Sequence, residues 1–428
     1  MTTALLTDRY ELTMLDAALR SGAAERPCVF EAFARELPAG RRYGVVAGLG
    51  RLIDAIERFT FDDATLAWLD DHDVVGPDTL RWLAGYRFRG ELHAYPEGEL
   101  YVPGTPVLTV SSSFAEGVLL ETLILSILNH DSAIASAAAR IVDAAAGRGL
   151  LEFGSRRAHE QSAVAAARAA YLVGFDGTSN VAAGSRHGVP TLGTTAHAFV
   201  LLHDDERAAV QAQIDAVGPA TTVLVDTYDI PTGIALALEV AGTGLGAIRI
   251  DSGDLGAEAT SARAQLDAAG ATDTRIVVSG DLDEYRIAEL VDAPIDAYGV
   301  GTKLVTGSGA PTAGFVYKLV ARARGTGREC EAVAKAGGPK ATIGGRKAAA
   351  RRLQDGHATA EVLRPWGTAP ATDERALQVP VLIDGDLQHD PDLDTIRAHH
   401  RAAMDELPTE AHRLAPGEPA WNTQEELT

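Results

Sequence analysis

The chain has 428 residues, a length that suits two or three domains, or a barrel of roughly 250 residues with a smaller domain beside it. Its composition, 46 % hydrophobic and 23 % charged, is that of an ordinary globular protein with enough apolar material for a sizeable core. The formal net charge of −21 repels DNA, RNA and anionic membrane surfaces, which sets nucleic-acid and membrane-surface binding aside.

In chain order, residues 1–130 read as short β-like runs, such as Glu91–Ala94 and Val107–Val110, between Pro- and Gly-rich turns, with a helix expected over Ala115–Asn129. The opening residues lack the basic-then-apolar shape of a signal peptide. The longest apolar stretch, Val118–Leu128, is broken by Glu121 and is too short to span a bilayer. Only Cys28 and Cys330 occur, without CxxC or zinc spacing, as suits a reducing cytosol. A soluble, cytoplasmic protein is expected.

From residue 131 the pattern changes. Apolar runs at Leu150–Phe153, Tyr171–Phe175, Val189–Leu192, Thr222–Val225, Ala247–Ile250, Arg275–Val278 and Ile295–Tyr298 alternate with segments of helical composition, including His159–Ala170, Ile234–Ala241, Ala257–Ala269 and Glu284–Val291. Strands alternating with helices imply parallel pairing through crossovers. The pattern predicts an irregular TIM-like parallel α/β barrel over 131–324, with Gly314–Val320 a candidate eighth strand. Residues 1–130 and 325–428 would form a flanking α+β domain built from both chain ends. Between Lys318 and Arg352 stand ten Lys/Arg against two acids, readable as a solvated face or as a local phosphate site.

Each predicted strand delivers small, polar or charged residues at its C-terminal end, where parallel barrels build their sites. Gly242–Gly246 precedes a strand rather than following one, which rules out a dinucleotide loop. Ser279-Gly280-Asp281 and Gly299-Val300-Gly301-Thr302 follow late strands and suit phosphate, because glycine lets backbone N–H groups approach oxygens closely; plain turns are the alternative. Arg249 and Asp251 share one face of a strand, either as a structural ion pair or as groups for an anion and for sugar hydroxyls or magnesium. His197 lies past the third strand, with Asp226 at the end of the next. A carboxylate accepting from one ring N–H would leave the other nitrogen nucleophilic. His203-Asp204-Asp205 and His399-His400 read as solvent-facing.

Taken in order, Thr7–Met14, Glu152–Arg157, Gly174–Val181, Gly193–His197, Asp226–Asp229, Arg249–Asp254, Gly299–Thr302 and Val316–Val320 resemble the nicotinate phosphoribosyltransferase family. The resemblance implies a type II phosphoribosyltransferase fold and a homodimer with shared active sites. It implies that Tyr10 and Phe153 sandwich the pyridine ring, that Thr194 and Arg249 contact nicotinate, and that Arg156 lies near base and phosphate. Ser179 stands where nicotinamide-using relatives carry an aspartate, and losing that charge favours the acid over the amide. Asp251 would hold the ribose, and Gly280, Gly299, Gly301, Thr302 and Lys347 the phosphates. The reaction implied joins nicotinate to 5-phosphoribosyl 1-pyrophosphate with Mg²⁺, and consumes ATP through phosphorylated His197. The basic segment Lys340–Lys347 departs from the family pattern in having Gly344 in place of proline, which loosens the backbone. A nicotinamide or quinolinate enzyme, another barrel enzyme and a catalytically idle homologue are the rival readings.

Overall fold

The structure, a computed structural model, describes residues 2–335 and 342–427. The chain forms two compact units, one of residues 1–136 and 310–428, the other of 137–309. The border at 136/137 falls inside the helix Glu121–Ala145. The helix expected over Ala115–Asn129 is two helices, Phe114–Val118 and Glu121–Ala145; Ser113 and Glu116 close a capping box at the start of the first, satisfying backbone donors that a helix start leaves unmet.

The first unit is built on a seven-stranded sheet in the order Cys330–Ala332, Phe315–Ala323, Pro27–Ala34, Leu108–Ser113, Glu91–Ala94, Val379–Ile383, Asp386–Leu387. Every pairing in it is antiparallel. The core is continuous from Leu12 and Leu15 of the first helix through Leu52, Phe59 and Tyr86 to Leu119, Ile124 and Tyr317. Tyr317 stacks on Phe30 with ring centroids 5.0 Å apart. A second sheet orders Glu374–Ala376, Lys347–Gln354, His357–Pro365 and Asn422–Glu425. Arg351 is fully buried here, bonded to Glu99, Glu361 and Glu406.

That sheet changes the meaning of the basic stretch. Arg324 pairs with Glu331, Arg346 with Glu91, Lys347 with Glu31 and Arg352 with Glu374. Arg346, Lys347 and Arg352 are thus partners of acids distant in sequence, while Arg324, Arg328 and Lys335 stand exposed, so the stretch divides between internal ion pairs and a solvated face. His400, expected at the surface, is buried and its Nδ1 lies 2.8 Å from the Gly98 carbonyl; His399 contacts Glu99.

The second unit holds a six-stranded sheet in the order Gly177–Thr178, Gly149–Glu152, Ala297–Val300, Arg275–Ser279, Ala247–Ile250, Thr222–Leu224. All of its pairings are parallel. Three expected strands differ. Tyr171–Phe175 is the end and exit of the helix Glu160–Leu172, because the alanine-rich run before it continues as a buried helix face. Val189–Leu192 contributes a single bridge, Thr178 to Thr191. Gly314–Val320 overlaps the strand Phe315–Ala323 from Phe315 on, and that strand pairs antiparallel with Pro27–Ala34 in the first unit. An eight-strand closure is therefore absent among the described residues.

Aspartates punctuate the turns that lead into the helices. Asp205, Asp229, Asp254 and Asp283 each accept a backbone N–H at the start of the following helix, the usual role of a short acidic side chain at that position. In Asp226–Asp229 and Asp251–Asp254 the second carboxylate caps the next helix and the first stays at the strand end. No helix among the described residues is long and apolar enough to cross a membrane.

Candidate active site

The C-terminal ends of five of the six parallel strands open into a cleft of about 650 Å³, the place where parallel α/β sheets bind ligands. Of the predicted site residues, Phe153, Arg156, Ser179, Thr194, His197, Arg249, Asp251, Gly280, Gly299, Gly301 and Thr302 line it. Asp226 lies beneath, with its side chain 1 % exposed. Tyr10 is exposed in the first unit, where partial burial and then the charges of Glu121, Glu11 and Asp8 push its hydroxyl up to about 12. Lys347 also belongs to the first unit. Its ammonium is buried, paired with Glu31 at 2.7 Å and bonded to the carbonyls of Ile343 and Gly345. Lys340 lies outside the described residues.

The wall of the cleft is set by one ring and one guanidinium. Phe153 follows strand Gly149–Glu152, with its N–H bonded to the Val300 carbonyl. A Cβ at Gly299 would stand 2.5 Å from the Phe153 ring, so glycine there lets the ring lie over the neighbouring strand. Arg249 rises from the strand Ala247–Ile250, its guanidinium 6.0 Å from the centre of that ring and donating to Thr194 Oγ1. Burial lowers the Arg249 pKa, while Asp251 and Asp226 oppose the shift. Its Nε is buried without an acceptor. A partly desolvated cation with an unmet N–H on an aromatic wall suits a planar anion.

Under this wall, buried Glu152 bonds the Gly154 N–H and the Thr178 hydroxyl, and burial raises its pKa. Asn180 Nδ2 donates to Ser155 Oγ at 2.9 Å. These bonds fix the loops that carry Arg156 and Ser179. Across the cleft, Gly280 has φ +111°, and a Cβ there would meet the Asp251 carbonyl oxygen at 2.6 Å. Only glycine fits this approach, and it keeps the turn after strand Arg275–Ser279 open to a ligand. Ser279 Oγ donates to Asp251 Oδ1.

His197 begins the helix His197–Leu202. Its Nδ1 is 3.1 Å from Thr227 Oγ1, and its Nε2 is 4.0 Å from Asp226 Oδ1. The ring is thus beside the carboxylate without a hydrogen bond to it. Asp226 Oδ2 accepts from the Asp251 N–H at 3.0 Å and from Ser252 Oγ at 2.6 Å, and Oδ1 is buried with no partner. Sequence reasoning named Ser279 and Asp281 only as part of a phosphate turn, and gave no role to Arg157 and Thr195 at the cleft or to Thr227 beside His197. Each of them adjoins a chosen residue inside the same motif, which was the available signal. Among the described residues no three His, Cys, Asp or Glu side chains cluster as a metal site.

A parallel α/β sheet with a cationic, aromatic-walled cleft at its strand ends defines an α/β enzyme for a planar anionic ligand. Comparison with known proteins makes this specific. Residues 5–129 match the nicotinate phosphoribosyltransferase N-terminal domain, and residues 149–355 the nicotinate phosphoribosyltransferase family. A nicotinate phosphoribosyltransferase of Mycobacterium tuberculosis (strain CDC 1551 / Oshkosh) is 56 % identical over 433 residues, covering 98 % of this chain and 94 % of the relative. The human nicotinate phosphoribosyltransferase is 33 % identical, over 74 % of this chain and 71 % of its own. The crystal structure of human nicotinic acid phosphoribosyltransferase superposes with a TM-score of 0.83 at 28 % identity, covering 99 % of this chain and 97 % of that one. That of nicotinate-nucleotide pyrophosphorylase from Pyrococcus furiosus gives 0.76 at 26 %, covering 93 % and 94 %. The chain belongs to the nicotinate phosphoribosyltransferase family, enzymes of NAD biosynthesis.

Proposed function

We propose that the chain forms nicotinate mononucleotide from nicotinate and 5-phosphoribosyl 1-pyrophosphate in the cytoplasm, and that it couples this to ATP hydrolysis through phosphorylated His197. The observation that carries the site assignment is the meeting of Arg249, Thr194 and Phe153 at one wall of the cleft. The ring would stack on Phe153 with its carboxylate on Arg249 and Thr194, while Ser179 adds no negative charge to repel it. Tyr10 would close the other ring face from a neighbouring subunit of a homodimer. The all-parallel strand order, with the cleft at the C-terminal strand ends, supports reading the sheet as the open part of an irregular TIM-like barrel.

In the transfer, the pyridine nitrogen lone pair attacks the anomeric carbon. The bond from that carbon to the pyrophosphate oxygen breaks, and its electrons leave with pyrophosphate. Positioning and stabilisation of the departing charge dominate, since pyrophosphate already leaves readily. The Gly280 turn, Gly299, Gly301 and Thr302 would hold the 5-phosphate, Asp251 the ribose, and Arg156 the region between base and phosphate. Mg²⁺ supplies neutralising charge on pyrophosphate oxygens. An ion that arrives on phosphates needs only one or two carboxylates, and Asp251 and Asp281 fit that requirement at the cleft.

Two assays test the reading. The purified chain is given the donor with nicotinate, nicotinamide or quinolinate, and nicotinate is expected to turn over fastest. Preference for another base would sink the substrate assignment. Incubation with γ-labelled ATP should then place acid-labile phosphate on the wild type and not on His197→Ala. Equal labelling of that variant would remove His197 from the role.

A further inference from the structure

The imidazole of His197 faces two consecutive side chains of the segment after strand Thr222–Leu224. Nδ1 is at hydrogen-bond distance, 3.1 Å, from the Thr227 hydroxyl, and Nε2 lies 4.0 Å from Asp226 Oδ1. The rest of Asp226 is already engaged by the Asp251 N–H and the Ser252 hydroxyl, so Oδ1 is the one acceptor of this carboxylate left unmet, and it is buried.

A neutral imidazole carries its proton on one nitrogen only, and a hydroxyl can donate or accept. A carboxylate oxygen accepts only. If the proton sat on Nδ1, the lone pair of Nε2 would face an unmet carboxylate oxygen, and two acceptors would repel each other. If it sits on Nε2, the positive end of the N–H dipole is on the side of the ring nearer that oxygen, and Nδ1 needs a donor. Thr227 is placed to be that donor.

We propose that Thr227 is a positioning residue for His197: its hydroxyl donates to Nδ1 and so fixes the tautomer that keeps the ring proton on Nε2, towards Asp226. This rests on the reading of His197 as the phosphoryl acceptor, since it states how that ring is held before ATP arrives. When the hydroxyl turns aside, the Nδ1 lone pair is free to attack the γ-phosphorus. The bond from phosphorus to the bridging oxygen breaks, and its electrons leave with ADP. The proton stays on Nε2, where the Asp226 carboxylate offsets the positive charge gained by the ring. The His197 side chain is 43 % exposed, so a nucleotide can reach it.

The test is made on the full chain labelled with ¹⁵N-histidine, with the His197 signals identified by their loss in His197→Gln. Long-range ¹⁵N–¹H correlations distinguish the two tautomers and the cation. The wild type and Thr227→Ser are expected in the Nε2–H form, and Thr227→Val as a mixture. Labelling from ATP should slow about tenfold in Thr227→Val and stay within about twofold in Thr227→Ser, the scale of one lost hydrogen bond. Thr227→Ala repeats the measurement where the valine methyl crowds the ring. Wild-type tautomer signals in both Thr227→Val and Thr227→Ala would overturn the proposal, as would a Thr227→Ser protein that behaves like Thr227→Val. A wild type that takes no label from ATP defeats the phosphohistidine reading instead, and the tautomer comparison still decides the role of Thr227.

Discussion

Two clusters of buried charge, one in each unit, are built on opposite plans. Around Arg351 the guanidinium donates to Glu99 and Glu406 through Nη1, and to Glu361 and the Leu100 carbonyl through Nη2. Trp421 covers it, with its ring centre 4.6 Å away. Arg375 and His399 add further contacts to the same acids. At the cleft, Arg249 has one hydroxyl partner and an unmet Nε, and Asp226 keeps an unmet Oδ1. Burying charge costs free energy unless bonds replace the lost water. The first cluster meets most of that cost within the chain: Arg351 Nε is also buried without an acceptor, but both of its Nη atoms are bonded twice over, and the cluster is structure. The second leaves part of it to be met by a ligand, which is what a binding site requires.

The sharpest way to break this contrast is to remove each arginine in turn. Arg351→Met leaves Glu361 buried without its cation and Glu99 with Arg375 and His399 alone, and should destabilise the protein by about 3–5 kcal/mol, read from the denaturant midpoint. An unchanged midpoint would mean that the acids are protonated or hydrated in place. Activity per folded molecule should survive, provided enough protein folds to assay.

Arg249→Met should do the reverse. Stability is expected to change by less than ~1 kcal/mol, because the residue has few internal bonds to lose. The kcat/KM for nicotinate should fall about 10²-fold, the scale of one charge-assisted contact to substrate. A large loss of stability with unaltered kinetics would turn Arg249 into a second Arg351 and remove it from the site. Gly299→Ala tests the same wall by sterics. The added methyl would meet the Phe153 ring, and overpacking of this kind costs about 1–3 kcal/mol. It should raise the KM for nicotinate more than that for the phosphoribosyl donor.

The contrast also explains what was legible in the sequence. The cleft residues sit in short motifs at strand ends, each within a few positions of an apolar run, so periodicity located them and chain order gathered them. The division of labour in Asp226–Asp229 and Asp251–Asp254 was legible too, once the second aspartate is recognised as a helix cap. The Arg351 cluster leaves no such trace. Glu99, Arg351, Glu361, Arg375, His399 and Glu406 are spread over 300 positions, and an arginine in a strand reads as solvent-facing until its partners are known. Lys347 is a phosphate ligand only by family resemblance, and its ammonium is paired instead with Glu31, 316 residues earlier, a partner its local sequence does not show. The strand Phe315–Ala323 has the apolar pattern of a barrel strand, and only its antiparallel pairing with Pro27–Ala34 assigns it to the other unit.

The smallest effect sharpens the structural side of the comparison through pH. His400 is buried, with its Nδ1–H donating to the Gly98 carbonyl, and burial pushes its pKa down to about 4. The unfolded chain takes up this proton near pH 6.5, whereas the folded chain resists until about pH 4. Between those values the unfolded state binds more protons, so stability falls as pH drops and is fully present above 6.5. From pH 7 to pH 5.5 the loss assigned to this one group is about 1 kcal/mol. His400→Gln keeps a donor for Gly98 and cannot be protonated. Its midpoint should therefore lose less than that of the wild type over the same interval, by about this amount. Parallel curves for the two proteins would show that the ring is already hydrated or protonated in the fold, and that this corner of the charge network is as incompletely paired as the cleft.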